Sequence, residues 1–173
     1  AWTSASGASV TAEVNDANPA FFNCRIDDGL WGDCSNATAS GGTNSATNLS
    51  EGSHRFWFAA TDKAGNYWAI FRQVNFDRQA PWGDSSTTWG TTETKDNTPA
   101  FLLNSGDNFG VASRKCRLDD ATPVDCNGST WLIADPVSDG EHIAEFTIAD
   151  NAGNAKVATQ SVVIDSTMPT ITY

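Results

Sequence analysis

Positive charge is scarce in this chain: 10 lysines and arginines face 21 acidic residues, for a net charge of −11 and a pI near 4.3. Nucleic acid and anionic membranes both attract basic patches, so neither is an expected partner, whereas calcium is permitted. Long apolar runs are missing too. None approaches the roughly 18 residues of a membrane span. No signal peptide is visible, and Ala1 in the place of an initiator Met marks a processed or excised chain. No segment has the period and caps of an amphipathic helix. A nucleophile elbow, a phosphate-cradling glycine loop and a metalloprotease motif are all absent, so no catalytic residue is nominated and the chain is not expected to be an enzyme.

Thiols are few, and their spacing is informative. Cys24 and Cys34 enclose nine residues, and so do Cys116 and Cys126, with no other cysteine in the 173 residues. Zinc and thioredoxin-like sites use Cys-x-x-Cys or a Cys/His mixture, which this spacing does not provide. One local disulfide per pair is the simplest reading, and it implies an oxidising compartment. Four reduced, buried thiols are the alternative. In the loop-entropy model a closed ring of about 11 residues contributes roughly 3 kcal/mol.

The cysteine pairs belong to a repeat. Cys24-Arg25-Ile26-Asp27-Asp28 aligns with Cys116-Arg117-Leu118-Asp119-Asp120 at an offset of 92, and Asp62-Lys63-Ala64-Gly65-Asn66 aligns with Asp150-Asn151-Ala152-Gly153-Asn154 at an offset of 88. At that second offset Asp77 and Pro81 match Asp165 and Pro169. The four-residue difference falls in a Ser/Thr/Asn/Gly-rich loop from Ser35 to Ser50, where insertions cost little. Two copies of one unit follow. The expected domains are residues 1–80, with all or part of a leading strand missing, and 81–169. Residues 170–173 read as the start of a further repeat or as a donor strand.

Within each copy the apolar period is two. Phe56, Phe58 and Ala60 share one face, as do Ala144, Phe146 and Ile148; Val74 and Phe76, matched by Val162 and Ile164, give the next strand its inward face. Between these strands Gly65 and Gly153 can take the left-handed conformation of a tight hairpin, with Asp62 and Asp150 capping the turn. Asp27-Asp28-Gly29 and Asp119-Asp120-Ala121 read as turns joining strands whose ends carry the cysteines. The order Cys, Ile/Leu-Asp-Asp, Cys, Gly-x-His, Asp-x-Ala-Gly-Asn, then Phe/Ile-Asp and Pro, resembles bacterial Ig-like tandem repeats of large cell-surface and adhesin proteins. That resemblance implies an all-β chain of two immunoglobulin-like β-sandwiches, each with one local disulfide.

Several groups of residues could carry function. His54 and His142 occupy one repeat position and read as structural. Asp62, Asn66 and Asp77, repeated as Asp150, Asn154 and Asp165, could supply oxygens to calcium, which takes six to eight of them. The resemblance adds that such repeats are often bridged by calcium at their junctions; turn capping is the plain alternative, and no cofactor is required. Trp57 aligns with Glu145, so it should face outward, and Phe71 aligns with Thr159. With Trp31 they form a candidate binding patch for a protein or sugar in the first copy, unless the Ser35 to Ser50 loop folds over it. Asn36, Asn48 and Asn127 fit the glycosylation sequon, a weak pattern in an Asn/Ser/Thr-rich chain.

The expected function is mechanical: a stalk segment of an extracellular, cell-surface adhesin, with neighbouring repeats or subunits as partners and a host protein or glycan as a further one. Two alternatives stand beside it. One is a head-to-tail surface filament assembled by strand complementation, with Ile171 and Tyr173 in the donor segment. The other is a carbohydrate- or protein-binding module using exposed Trp.

Overall fold

Apolar alternation over short runs bounded by Gly, Asp and Asn produces strands, and no described residue of the computed structural model is helical. The structure describes residues 1–87, 90 and 92–173. It divides into unit 1, Ala1–Arg78, and unit 2, Gln79–Tyr173.

Unit 1 contains β1 (Trp2–Thr3), β2 (Gly7–Glu13), β3 (Pro19–Ile26), β4 (Gly32–Asp33), β5 (Ser35–Thr38), β6 (Gly41–Thr47), β7 (Gly52–Asp62) and β8 (Tyr67–Phe76). One sheet runs β1-β8-β7-β3-β4 and the other β2-β6-β5. Between them Phe22, Cys24, Cys34, Phe56, Phe58 and Phe76 form a buried core, with Ala8, Val10, Ala12 and Val74 packed against it. Phe56 and Phe76 are fully buried; each such side chain contributes about 2–3 kcal/mol of hydrophobic stabilisation.

Unit 2 contains β9 (Trp82–Thr87), β10 (Glu93–Thr94), β11 (Ala100–Gly106), β12 (Val111–Leu118), β13 (Val124–Asp125), β14 (Thr130–Leu132), β15 (Gly140–Asp150) and β16 (Ala155–Ile164). Its sheets are β10-β16-β15-β12-β13 and β14-β11-β9. The five-stranded sheets of the two units match strand for strand. In both, a two-residue strand runs parallel to the last one: Trp2–Thr3 beside Asn75–Phe76, and Glu93–Thr94 beside Val163–Ile164. The core of unit 2 is Phe101, Leu103, Ala144, Phe146, Ile148, Val162 and Ile164 around the second cysteine pair.

The disulfides join Cys24 to Cys34 and Cys116 to Cys126, with Cα separations of 5.0 and 5.8 Å. All four cysteines are buried, so each bridge is part of its unit's core as well as a clamp between β3 and the β4 end, or β12 and the β13 end. The three-stranded sheets differ. Residues 35–47, expected as loop, form β5 and β6, and among the described residues unit 1 has no counterpart of β9.

Candidate functional site: the outer face of unit 1

The turns that hold the sheets explain several repeated residues. Asp27 and Asp119 sit at φ 51°, a left-handed backbone that Asp tolerates. Their carboxylates are used twice. Asp27 Oδ1 accepts from Arg55 N at 2.8 Å and Oδ2 faces His54 Nδ1 at 2.7 Å; Asp119 repeats this with Ile143 N and His142 Nδ1 at the same distances. His142 Nε2 lies 3.0 Å from the Ser138 carbonyl, so both ring nitrogens meet acceptors and the imidazole must carry two protons to satisfy them. The Asp119 hydrogen bond foremost therefore raises the His142 pKa, against burial, with help from the Ser138 carbonyl and the Asp119 charge. For Asp119, burial acts upward, yet the His142 and Ile143 hydrogen bonds and the His142 charge together leave its pKa lowered. The sequence showed the histidines as structural but not their partners; the repetition of Asp27 with Asp119 was the available signal.

The Asp-x-Ala-Gly-Asn turns are capped by their own residues. Asp62 Oδ1 accepts from the amides of Ala64 and Asn66, both at 2.8 Å, and Oδ2 from Asn66 Nδ2 at 2.6 Å. These hydrogen bonds, led by the Asn66 side chain, lower the Asp62 pKa. Asp150 makes the same bonds to Ala152 and Asn154. The residues offered to calcium in each copy are not gathered at one end of their hairpin. Asp77 follows the far end of β8, whose Phe76 pairs with Gly52, whereas Asp62 and Asn66 flank the turn at the other end. Ten residues of strand, about 33 Å, lie between. The same hairpin geometry separates Asp165 from Asp150 and Asn154. The three sequon asparagines are all exposed. Asn36 and Asn48 have φ of 53° and 56°, so backbone conformation accounts for Asn there.

The expected aromatic patch is assembled on the outer face of β3 and β7–β8. Trp57 pairs with Phe71 across the hairpin, with ring centroids 4.7 Å apart. The Arg25 guanidinium lies over Trp31 at 4.8 Å and over Trp57 at 5.0 Å, and that of Arg55 over Phe71 at 5.1 Å. Each cation–π contact is worth about 0.5–1 kcal/mol at an exposed site. The loop suggested as a cover does not reach this face: β5 and β6 belong to the opposite sheet. Beside the stack, Phe21, Asn23, Trp31, Ala59, Thr61 and Tyr67 line an open groove of about 300 Å³. Phe21 and Tyr67, 68% and 60% exposed, were not singled out from the sequence, although both occupy outward positions in register with the patch.

Unit 2 handles the same scaffold differently. Arg117, the counterpart of Arg25, donates through Nε and Nη2 to both carboxylate oxygens of Glu145, at 3.0 and 2.8 Å. Glu145 stands where unit 1 has Trp57, and Arg25 Nε has no hydrogen-bond partner. One arginine position thus serves an ion pair in one unit and an aromatic stack in the other.

Comparison with known proteins agrees with this architecture. The bacterial Ig-like domain family matches residues 33–78 and 120–166, one segment in each unit. Fibronectin(III)-like modules of Clostridium thermocellum CbhA align over 99% of this chain and 92% of theirs, at 10% identity and a TM-score of 0.52. A 1.5-MDa bacterial ice-binding adhesin, studied for host cell surface retention, aligns over 93% of this chain and 58% of its own, at 14% identity and a TM-score of 0.51. At such identities the likeness is one of fold. No curated protein sequence matches significantly. Since the family covers more than half of the residues, with one match in each of two disulfide-stapled sandwiches, the chain belongs to the bacterial Ig-like domain family.

Proposed function

We propose that this chain is a non-catalytic spacer and adhesion segment of an extracellular bacterial surface protein, and that its own contact with a partner is made by the outer face of unit 1. The observation that carries this reading is the contrast at one position: Arg25 lies between Trp31 and Trp57, while Arg117 is closed off by Glu145. A repeated scaffold serves as a spacer in either form, so aromatic residues added to one copy alone point to recognition. Exposed rings beside the amide of Asn23 and the hydroxyl of Thr61 suit a carbohydrate, which stacks its apolar faces and hydrogen-bonds at its edges. Glycan-array binding by the chain, lost in Trp31→Ala, is the expected result. An array with no retained glycan would confine the function to spacing.

Calcium is a secondary part of the proposal, supported by Asp107 and Asp150, which hold carboxylate oxygens within 4.8 Å of each other. Two carboxylates supply a minority of the ligands calcium needs, with the rest left to backbone carbonyls and water. Calorimetric titration of the EDTA-treated chain should give binding heat and a raised melting temperature. A titration showing neither removes calcium from the proposal.

A further inference from the structure

Corresponding positions on the outer faces of the two units differ in how their cations are paired. In unit 2, Lys115 and Arg117 project from β12 beside carboxylates on both neighbouring strands. Lys115 Nζ lies 2.7 Å from Asp125 of β13, and Arg117 is closed on Glu145 of β15. Unit 1 keeps the register and drops the pairs. Asn23 stands for Lys115 opposite Asp33, and Trp57 stands for Glu145 opposite Arg25. Arg55, where unit 2 has Ile143, adds a second cation to the same face. Among the described residues, neither the Arg25 nor the Arg55 guanidinium forms an ion pair.

Aromatic rings surround these arginines instead. The Arg25 guanidinium lies over Trp31 and Trp57 and that of Arg55 over Phe71, so the two cations bracket the Trp57–Phe71 pair. Rings hold the face of a guanidinium and accept nothing from its N–H edge, and Arg25 Nε is buried with no acceptor. A buried donor without a partner is costly, and it marks a place for an acceptor that arrives with a ligand. Arg117 shows which acceptor this scaffold position takes: its Nε and Nη2 grip a carboxylate side-on at 3.0 and 2.8 Å. That bidentate fork is the geometry arginine offers to carboxylates. The same edge of Arg25 is reached past Trp31, which lies outside any strand between Gly29 and Gly32, next to Leu30 at 96% exposure. Trp31 is also a wall of the groove that holds Phe21, Asn23 and Tyr67, so a sugar in that groove has Arg25 behind a shared wall.

We propose that the outer face of unit 1 takes an acidic glycan, one whose sugar rings carry carboxylates, and that Arg25 reads the carboxylate. This rests on the carbohydrate reading and narrows it to sugars of the uronic acid type. One ring lies in the aromatic groove, and its carboxylate takes the place that Glu145 fills in unit 2. Trp31 turns aside as Nε and Nη2 close on it. Arg55, beyond the Trp57–Phe71 pair, meets the carboxylate of a further sugar along the glycan. Asn23 and Asp33 are left to the sugar hydroxyls. The chain as a whole is acidic, with a net charge of −11, so an anionic glycan is held where cations stand without acids.

The test is binding of the 173-residue chain to an array of uronic acid oligosaccharides (galacturonan, mannuronan, guluronan and glucuronan). Each is printed beside the same oligosaccharide with its carboxyls reduced to hydroxymethyl groups, and sulfated glycans are included. The expected result is retention of at least one acidic glycan roughly tenfold above its reduced partner, falling as salt rises. Arg25→Gln should bring retention down to that of the reduced partner, and Arg25→Lys, which keeps the charge but not the fork, should recover only part of it. Arg55→Gln changes an exposed position that leaves the fold intact, and should lower acidic retention several-fold even if the Arg25 variants unfold. Equal retention of acidic and reduced forms, retention of sulfated glycans alone, or acidic retention unchanged in a folded Arg25→Gln overturns the carboxylate assignment and leaves the carbohydrate reading standing. Retention of no glycan overturns both.

Discussion

At the residue scale the most consequential contacts are the two His–Asp ties, each of which fixes the start of a long central strand to the turn that follows β3 or β12. Their contribution in unit 2 has a defined pH window. The raised His142 pKa means that its share of stability is fully present below the ordinary value of 6.5 and is lost as pH rises through the folded value. The lowered Asp119 pKa means that its share is present above 3.8 and is lost as pH falls through the folded value. The advantage of the wild type over His142→Ala should therefore be largest between about pH 4 and 6.5 and shrink on both sides. Asp119 is 45% exposed in its side chain, so solvent screening limits the effect to about 1 kcal/mol, read as the difference in melting temperature across a pH series. An effect of one size from pH 3 to 9 would mean that packing, not charge, accounts for the tie.

At the level of elements, the bridges staple hairpins that are short of hydrogen bonds: β4 and β13 have two residues each. Replacing Cys24 and Cys34 together by Ala should cost about 3 kcal/mol by loop entropy and lower the melting temperature of unit 1 by about 12–24 °C. Calorimetry should show the transition of unit 2 unmoved. These hairpins, and the long pair β7–β8, were legible in the sequence because Phe56 and Phe58 alternate with polar residues and Gly65 marks the turn. The three-stranded sheets were not. Residues 35–47 are small and polar, and carry no apolar period to betray β5 and β6. Gly42 illustrates why: its Cα faces the bridge so closely that a Cβ would meet Cys34 Cβ at 2.9 Å. Asn44, buried, donates to the carbonyls of Arg25 and Trp57 at 2.9 and 3.2 Å. A strand whose inward positions are a glycine and a hydrogen-bonding asparagine reads as a loop. β9, Trp-Gly-Asp-Ser-Ser-Thr, hides for the same reason, since its inward residues are the small Gly83, Ser85 and Thr87, the first packed on Ile148.

Over the whole molecule, repetition made the architecture readable and departures from repetition locate the candidate sites. Alignment of the copies showed Trp57 against Glu145 and Phe71 against Thr159, and the structure joins those positions with Arg25 and Trp31 in one stack. The residues offered to calcium in each copy lie at opposite ends of one hairpin, so repeat register alone did not show which of them could meet at one ion. Recognition by unit 1 is tested most directly by giving its outer face the residues of unit 2, in the double variant Trp57→Glu and Phe71→Thr. The introduced carboxylate should pair with Arg25 as Glu145 does with Arg117, leaving the melting temperature within a few degrees of the wild type. Glycan-array binding measured on the two proteins should then show retention by the wild type and none by the variant; equal retention by both would contradict the assignment of the contact to this face.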